Sequence, residues 1–224
     1  MLRQTLKTID AGLLGGRIRN RLHARRFLFR YIRDGDVGTE IGLGRGEFSE
    51  ILLSTRRLKR LYLIDSWVFQ PDFATRWYGG AVARSQADMD ELFEGVRQRL
   101  ARFAAPVYLR DFSADAAGRI AEGELDWVYV DGSHYYNHVL ADLEAFAPKV
   151  RVGGHIICDD HDWKTETGTH DVRRALETFL ARHGERLERV ETRNGQAVIR
   201  VSAPVPRADT GQAAAPHGAP EGDA

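Results

Sequence analysis

The order of apolar patterns predicts an α/β fold: a doubly wound, seven-stranded sheet, mostly parallel, with an antiparallel hairpin strand at its C-terminal end. Three observations carry this. Short apolar runs alternate with longer amphipathic ones between residues 37 and 202, the pattern of a parallel sheet covered on both faces. The first run ends in the glycine-rich turn Glu40-Ile41-Gly42-Leu43-Gly44-Arg45-Gly46. The last two runs flank Asn194-Gly195, a strong hairpin signal.

Taken in order, Val37–Ile41 reads as the first strand and Phe48–Leu53 as the helix after the glycine turn. Arg60–Ile64 is a strand with Asp65 at its end, and residues 71–83 are irregular, rich in aromatics and glycine. Ser85–Phe103 is a helix closed by Pro106, and Val107–Leu109 is the next strand. Leu125–Val130 is a strand followed by a helix over Tyr135–Val150, and His155–Cys158 is a strand after Gly153-Gly154. Val172–Arg182 is the last helix, with Leu187–Thr192 and Gln196–Val201 forming the hairpin.

This main domain, residues 36–202, follows a basic extension, residues 1–35. Residues 1–33 hold nine Arg or Lys against one acid, Asp10. Leu2, Leu6, Ile9, Leu13 and Leu14 recur at helical spacing, so the extension reads as a pair of helices packed on the domain with their arginines facing water, and as a surface for a homodimer contact. Residues 203–224 are rich in Ala, Pro and Gly and read as a disordered tail. Over the whole chain 32 basic residues balance 32 acidic ones, which gives no general electrostatic case for a nucleic-acid partner. Cys158 is the sole cysteine, no apolar run is long enough to span a bilayer and no secretory leader is evident, so a cytoplasmic location is expected.

The turn from Glu40 to Gly46 lies at the carboxyl end of the first strand, where open α/β sheets bind ligands. A dinucleotide fingerprint starting at Gly42 would need glycine at position 47, which is Glu47. The Glu40 carboxylate would repel a pyrophosphate and attract the ammonium of an amino-acid ligand. Asp65, followed by Ser66, is placed to accept the two hydroxyls of a ribose. Trp67 and Phe69 fit either an adenine pocket or the core. At the end of the third strand Asp111-Phe112-Ser113 makes a short polar turn, its backbone at the cofactor's edge and the Ser113 hydroxyl capping the next helix.

The fourth strand leads into Asp131-Gly132-Ser133-His134 and the fifth into Asp159-Asp160-His161-Asp162. If the strands are neighbours, Asp131, Asp159 and Asp160 converge, and such crowding is relieved by protonation or a cation. Oxygen donors suit Mg²⁺ or another hard divalent ion.

With these motifs the chain resembles the class I S-adenosylmethionine-dependent methyltransferases. Within them it resembles the small-molecule O-methyltransferase branch with an Asp-Gly-x-His signature, methyltransferase family 24. The resemblance covers roughly residues 36–200 and implies a Rossmann-like sheet. It implies that Glu40, Gly42 and Gly44, with Gly46 closing the turn, hold the methionine part of the cofactor, and that Asp65 holds the ribose. It further implies that Asp131, Asp159 and Asp160 are metal ligands. Ser133 departs from relatives that carry an acid there, so His134 becomes the expected base, with Lys164 or His161 in reserve. The expected activity is metal-assisted methylation of a small-molecule hydroxyl. The rival expectations are an RNA methyltransferase steered by the basic N-terminus, a non-catalytic cofactor-binding interaction protein, and an NAD-dependent oxidoreductase, which the glycine spacing opposes.

Overall fold

The computed structural model describes residues 24–73, 77–165 and 168–207. Seven strands form one sheet: β1 (Val37–Ile41), β2 (Arg60–Asp65), β3 (Pro106–Arg110), β4 (Leu125–Val130), β5 (Val150–Cys158), β6 (Leu187–Arg193) and β7 (Gln196–Val201). Their order is β3-β2-β1-β4-β5-β7-β6. The first five run parallel, while β7 pairs antiparallel with both β5 and β6. From β1 the chain winds outward to β2 and β3, then crosses back to β4 on the other side. The winding reverses between β1 and β4, and the carboxyl ends of strands at such a switch are where folds of this kind bind ligands.

Period-two alternation sends side chains to two cores. Val128 and Val130 face one layer, with α3 (Ser113–Ala117), α4 (Tyr136–Phe146) and α5 (Asp171–His183). Trp127 and Tyr129 face the other, with α1 (Glu47–Thr55), α2 (Gln86–Leu100) and residues from the N-terminal segment. In α2 the Ser85 hydroxyl accepts the Asp88 N–H at 3.2 Å as an N-cap, and Met89, Val96 and Leu100 form the buried stripe. No helix among the described residues is long and apolar enough to cross a membrane.

Three differences from the sequence reading have physical causes. Strand β5 begins at Val150, not after Gly153-Gly154. A Cβ on Gly154 would stand 2.6 Å from the Asp126 carbonyl oxygen, so that glycine marks a close approach of two strands and not a turn. The stretch 71–83 is not wholly irregular: it contains a short 3-10 turn, Pro71–Phe73, and a helical turn over Trp77–Ala81 that is kinked at Gly80, whose φ is +155°. Third, the chain stays on the domain beyond residue 202, where Val205 is buried against the α3–α5 core and the Ser202 N–H donates to the Arg186 carbonyl at 2.8 Å. The expected helices before residue 24, with their dimer contact, and the tail from residue 208 lie outside the described residues.

The N-terminal segment enters as a 3-10 turn, Arg25–Arg30, that buries Leu28 and then Ile32. Arg30 and Tyr31 both bind Glu191 Oε2 on β6, at 2.5 and 2.8 Å, and Asn194 Nδ2 donates to the Ala24 carbonyl at 3.0 Å. The segment therefore lies across the C-terminal hairpin, which carries it to the carboxyl edge of the sheet.

Candidate active site

Two backbone hydrogen bonds tie the first turn to its neighbours. Gly42 N–H donates to Ile64 O and Asp131 N–H donates to Ile41 O, each at 2.9 Å. Gly42, Gly44 and Gly46 all adopt positive φ, the left-handed region that glycine enters without strain, and Gly46 stands at the N-cap of α1. Asp65 knits this turn to β2. Its Oδ2 accepts Leu43 N–H at 2.9 Å, Gly44 N–H at 3.3 Å and the Tyr78 hydroxyl at 2.6 Å, and Oδ1 accepts Trp67 N–H at 3.2 Å. Burial raises the Asp65 pKa against the pull of these donors. Ser66 is half-buried and its Oγ accepts the Val68 N–H at 3.4 Å. Glu40 is buried under the turn, where Ser49 Oγ donates to it at 2.5 Å. Burial pushes its carboxyl up to about 7, although Ser49 and Arg25 pull the other way.

Trp67 is a core residue: it is fully buried, with its ring centroid 4.7 Å from that of Phe93 on α2. Phe69 packs on the same core, partly buried. At the β3 end, Asp111 accepts the Phe112 N–H at 3.1 Å and an Arg119 nitrogen at 2.5 Å. Ser113 is not the helix cap expected of it. Phe112 occupies the cap position, and the Ser113 hydroxyl, already inside α3, donates to Asp142 on α4. The buried carboxylate is the stronger acceptor competing for that hydroxyl. Burial raises Asp142 to about 7, with the Ser113 bond acting against it.

At the ends of β4 and β5 the three expected carboxylates divide. Asp131, His134 and Asp160 each bring one ligand atom to within 4.8 Å of the others. His134 Nε2 lies 2.9 Å from Asp160 Oδ2, and the His134 ring is 5.0 Å from Trp163. Asp159 adjoins Asp131 but lies outside this group. Successive residues leaving a strand point to opposite sides, and Asp160 turns further by taking φ +50°. One Asp159 oxygen is held by Gln196 Nε2 at 2.5 Å and the other by Arg25. Burial and the adjacent Asp159 carboxylate push Asp131 well above the usual carboxylate range. Lys164 follows Trp163 as an exposed side chain, and His161 is buried beside Asp162, with Nδ1 3.2 Å from Oδ1.

Arg25 is the site residue that sequence reasoning missed. It was expected to face water, yet it is buried, with Nη2 2.9 Å from Asp131 Oδ2 and bonded also to Asp159. Its guanidinium carbon lies 5.1 Å from the Phe48 ring centre and 5.4 Å from that of Tyr129. Burial works against its charge, and the neighbouring anionic groups more than offset this. In sequence Arg25 is one of nine similar cations. The one local signal is its position two residues before the apolar stretch Phe27–Phe29, which anchors the segment.

A seven-stranded Rossmann-like sheet with a glycine turn, a buried acid under it and an acid ending β2 defines a class I methyltransferase site. Residues 39–161, just over half of the chain, match the family model described as a methyltransferase domain. The chain belongs to that family, and it is an S-adenosylmethionine-dependent methyltransferase. No curated protein matches it. Among solved structures, the O-methyltransferase NovP superimposes with TM-score 0.55 at 20% identity, over 84% of this chain and 80% of that one. The N-methyltransferase NodS from Bradyrhizobium japonicum WM9 gives 0.52 at 19% identity, over 87% and 99%. An rRNA methylase from Streptococcus thermophilus gives 0.52 at 12% identity, over 81% and 95%. At these identities the likeness concerns the fold.

Proposed function

We propose that this methyltransferase acts on a hydroxyl of a small-molecule acceptor, assisted by a divalent ion such as Mg²⁺. The convergence of Asp131, His134 and Asp160 past the carboxyl ends of β4 and β5 carries the reading. Glu40 takes the ammonium of the cofactor's amino-acid end, and the turn through Gly42, Gly44 and Gly46 lets that end approach the backbone. Asp65 takes the ribose hydroxyls. The Tyr78 hydroxyl now donating to Asp65 offers the same chemistry as a ribose hydroxyl, so the turn carrying Tyr78 swings aside as a lid when cofactor enters. Ser66 and the backbone of Asp111, Phe112 and Ser113 border the adenine.

The donor set fits a hard ion. Asp131 and Asp160 supply oxygen ligands, with water completing the shell. Asp159 is engaged by Arg25 and Gln196 and falls outside this set. Bound there, the ion would lower the pKa of the acceptor hydroxyl. In the transfer, the acceptor oxygen forms a bond to the methyl carbon while the carbon–sulfur bond breaks and its electron pair returns to sulfur. His134 receives the hydroxyl proton, and Asp160 beside it stabilises the resulting imidazolium. Lys164 is the reserve proton acceptor.

The small-molecule reading is favoured over RNA because two N-terminal cations are already paired within the protein: Arg25 is buried against Asp131 and Asp159, and Arg30 pairs with Glu191 at the surface. The single, buried cysteine fits a reducing compartment and supports a cytoplasmic protein. The test is release of S-adenosylhomocysteine with a panel of hydroxylated small molecules and with RNA. Dialysis against EDTA is expected to remove activity and Mg²⁺ to restore it, and full activity in chelator would eliminate the ion. Asp160→Asn is expected to lower kcat by about 100-fold, the usual scale of lost general acid–base support.

A further inference from the structure

Arg25 stands where a cation is wanted. Its guanidinium bridges Asp131 and Asp159 across the ends of β4 and β5, beside the packed rings of Phe48 and Tyr129. Asp159 has both oxygens engaged, one by Arg25 and one by Gln196. Asp131 is the carboxylate common to two arrangements: it pairs with Arg25, and it belongs to the convergent group with His134 and Asp160. A divalent ion on Asp131 would stand a few ångströms from a buried guanidinium. Repulsion between two cations at that range, away from water, is large. The segment bearing Arg25 is held on the hairpin by contacts that are separate from the carboxylates, through Glu191 and Asn194.

Building on the divalent-ion reading above, we propose that Arg25 and the divalent ion compete for Asp131, which makes residues 24–33 an ion-responsive strap over the acceptor site. With no ion, Arg25 neutralises the carboxylates and holds the strap down. Ion binding displaces Arg25 from Asp131 and loosens the strap. By reciprocity, docking of Arg25 weakens ion binding by the same factor that ion binding weakens docking.

Two measurements on the full chain test this, with Mn²⁺ as the probe. Electron paramagnetic resonance titration is expected to show Mn²⁺ bound about tenfold or more tightly by Arg25→Gln than by the wild type, with Arg25→Lys close to the wild type. In the wild type, saturating Mn²⁺ is expected to speed tryptic cleavage after Arg25 or Arg26 several-fold, and in Asp160→Asn to leave it unchanged. If Arg25→Gln does not fold, as judged by circular dichroism, the wild-type cleavage experiment and Arg25→Lys decide. Equal Mn²⁺ affinity in the wild type and a folded Arg25→Gln, or Mn²⁺ bound by the wild type with unaltered cleavage, overturns the competition and leaves the ion site standing. Mn²⁺ bound by no variant overturns the ion site and the strap together.

Discussion

Gly42→Ala is expected to lower affinity for S-adenosylhomocysteine by about 100-fold, or about 2.7 kcal/mol, and to destabilise the domain by about 3–5 kcal/mol. The added Cβ would stand 2.3 Å from the Asp131 carbonyl oxygen and 2.4 Å from Gly132 Cα. Both are backbone atoms, so no rotamer change relieves the contact. The turn must move, and it is fixed by the bonds from Gly42 to Ile64 and from Asp131 to Ile41. Overpacking of this kind costs about 1–3 kcal/mol, and holding alanine at φ +83° adds a similar amount. Gly46→Ala is the control. It too has positive φ, but its Cβ would meet the Val96 Cγ1 methyl at 3.2 Å, a side chain that can yield. That variant is expected to lose about 1–2 kcal/mol, the ordinary left-handed penalty, and to keep its ligand affinity to within about tenfold. Calorimetric titration and urea midpoints separate the two variants.

The second large effect is a loss of stability as pH rises. Glu40 and Asp142 are both raised by burial to about 7 in the folded protein, from ordinary carboxylate values near 4.5 and 3.8. A raised carboxyl binds more protons folded than unfolded. Its stabilisation is therefore complete below the unfolded pKa and is lost as pH climbs to the folded value. His155 and His161, lowered by burial, work the other way and lose stability as pH falls below about 6.5. A paired comparison isolates one carboxyl from this background. Asp142→Asn keeps the shape and removes the titration. Between pH 5 and 8 its stability is expected to rise relative to the wild type by about 3 kcal/mol, read from urea unfolding. Parallel curves over that range would mean that Asp142 does not titrate there. Saturating S-adenosylhomocysteine is expected to restore more stability at pH 8 than at pH 6, because its ammonium favours ionised Glu40.

Strand and turn chemistry made most of the sheet legible. Val37–Ile41, Leu125–Val130 and Gln196–Val201 are strands over the ranges that their apolar patterns predict, and Asn194-Gly195 forms the β6–β7 hairpin. Local pattern is enough where one face of an element must be dry. It failed where a residue's role depends on what crosses above it. Gly153-Gly154 looks like a turn until the neighbouring strand is seen to press on Gly154. Ser113 looks like a cap until Asp142 arrives from α4. Asp131, Asp159 and Asp160 look like one group because sequence reports adjacency and not the side from which each carboxylate leaves its strand. Arg25 was the least legible, since its partners lie 106 and 134 residues further along the chain.

Those separations bear on how the protein is made. Asp159 is held by one residue far upstream and by Gln196, which lies on the last strand of the sheet. On a ribosome residues 24–33 emerge before the rest of the domain, yet Glu191, which anchors them, and Gln196 emerge only with its last two strands, β6 and β7. Contacts so distant in sequence close late and slowly. Until β6 and β7 leave the exit tunnel, the carboxylate edge lacks its hairpin support, and a chain cut short before residue 187 cannot assemble it. The pocket is thereby completed only once β6 and β7 are made, when the first and last parts of the domain meet.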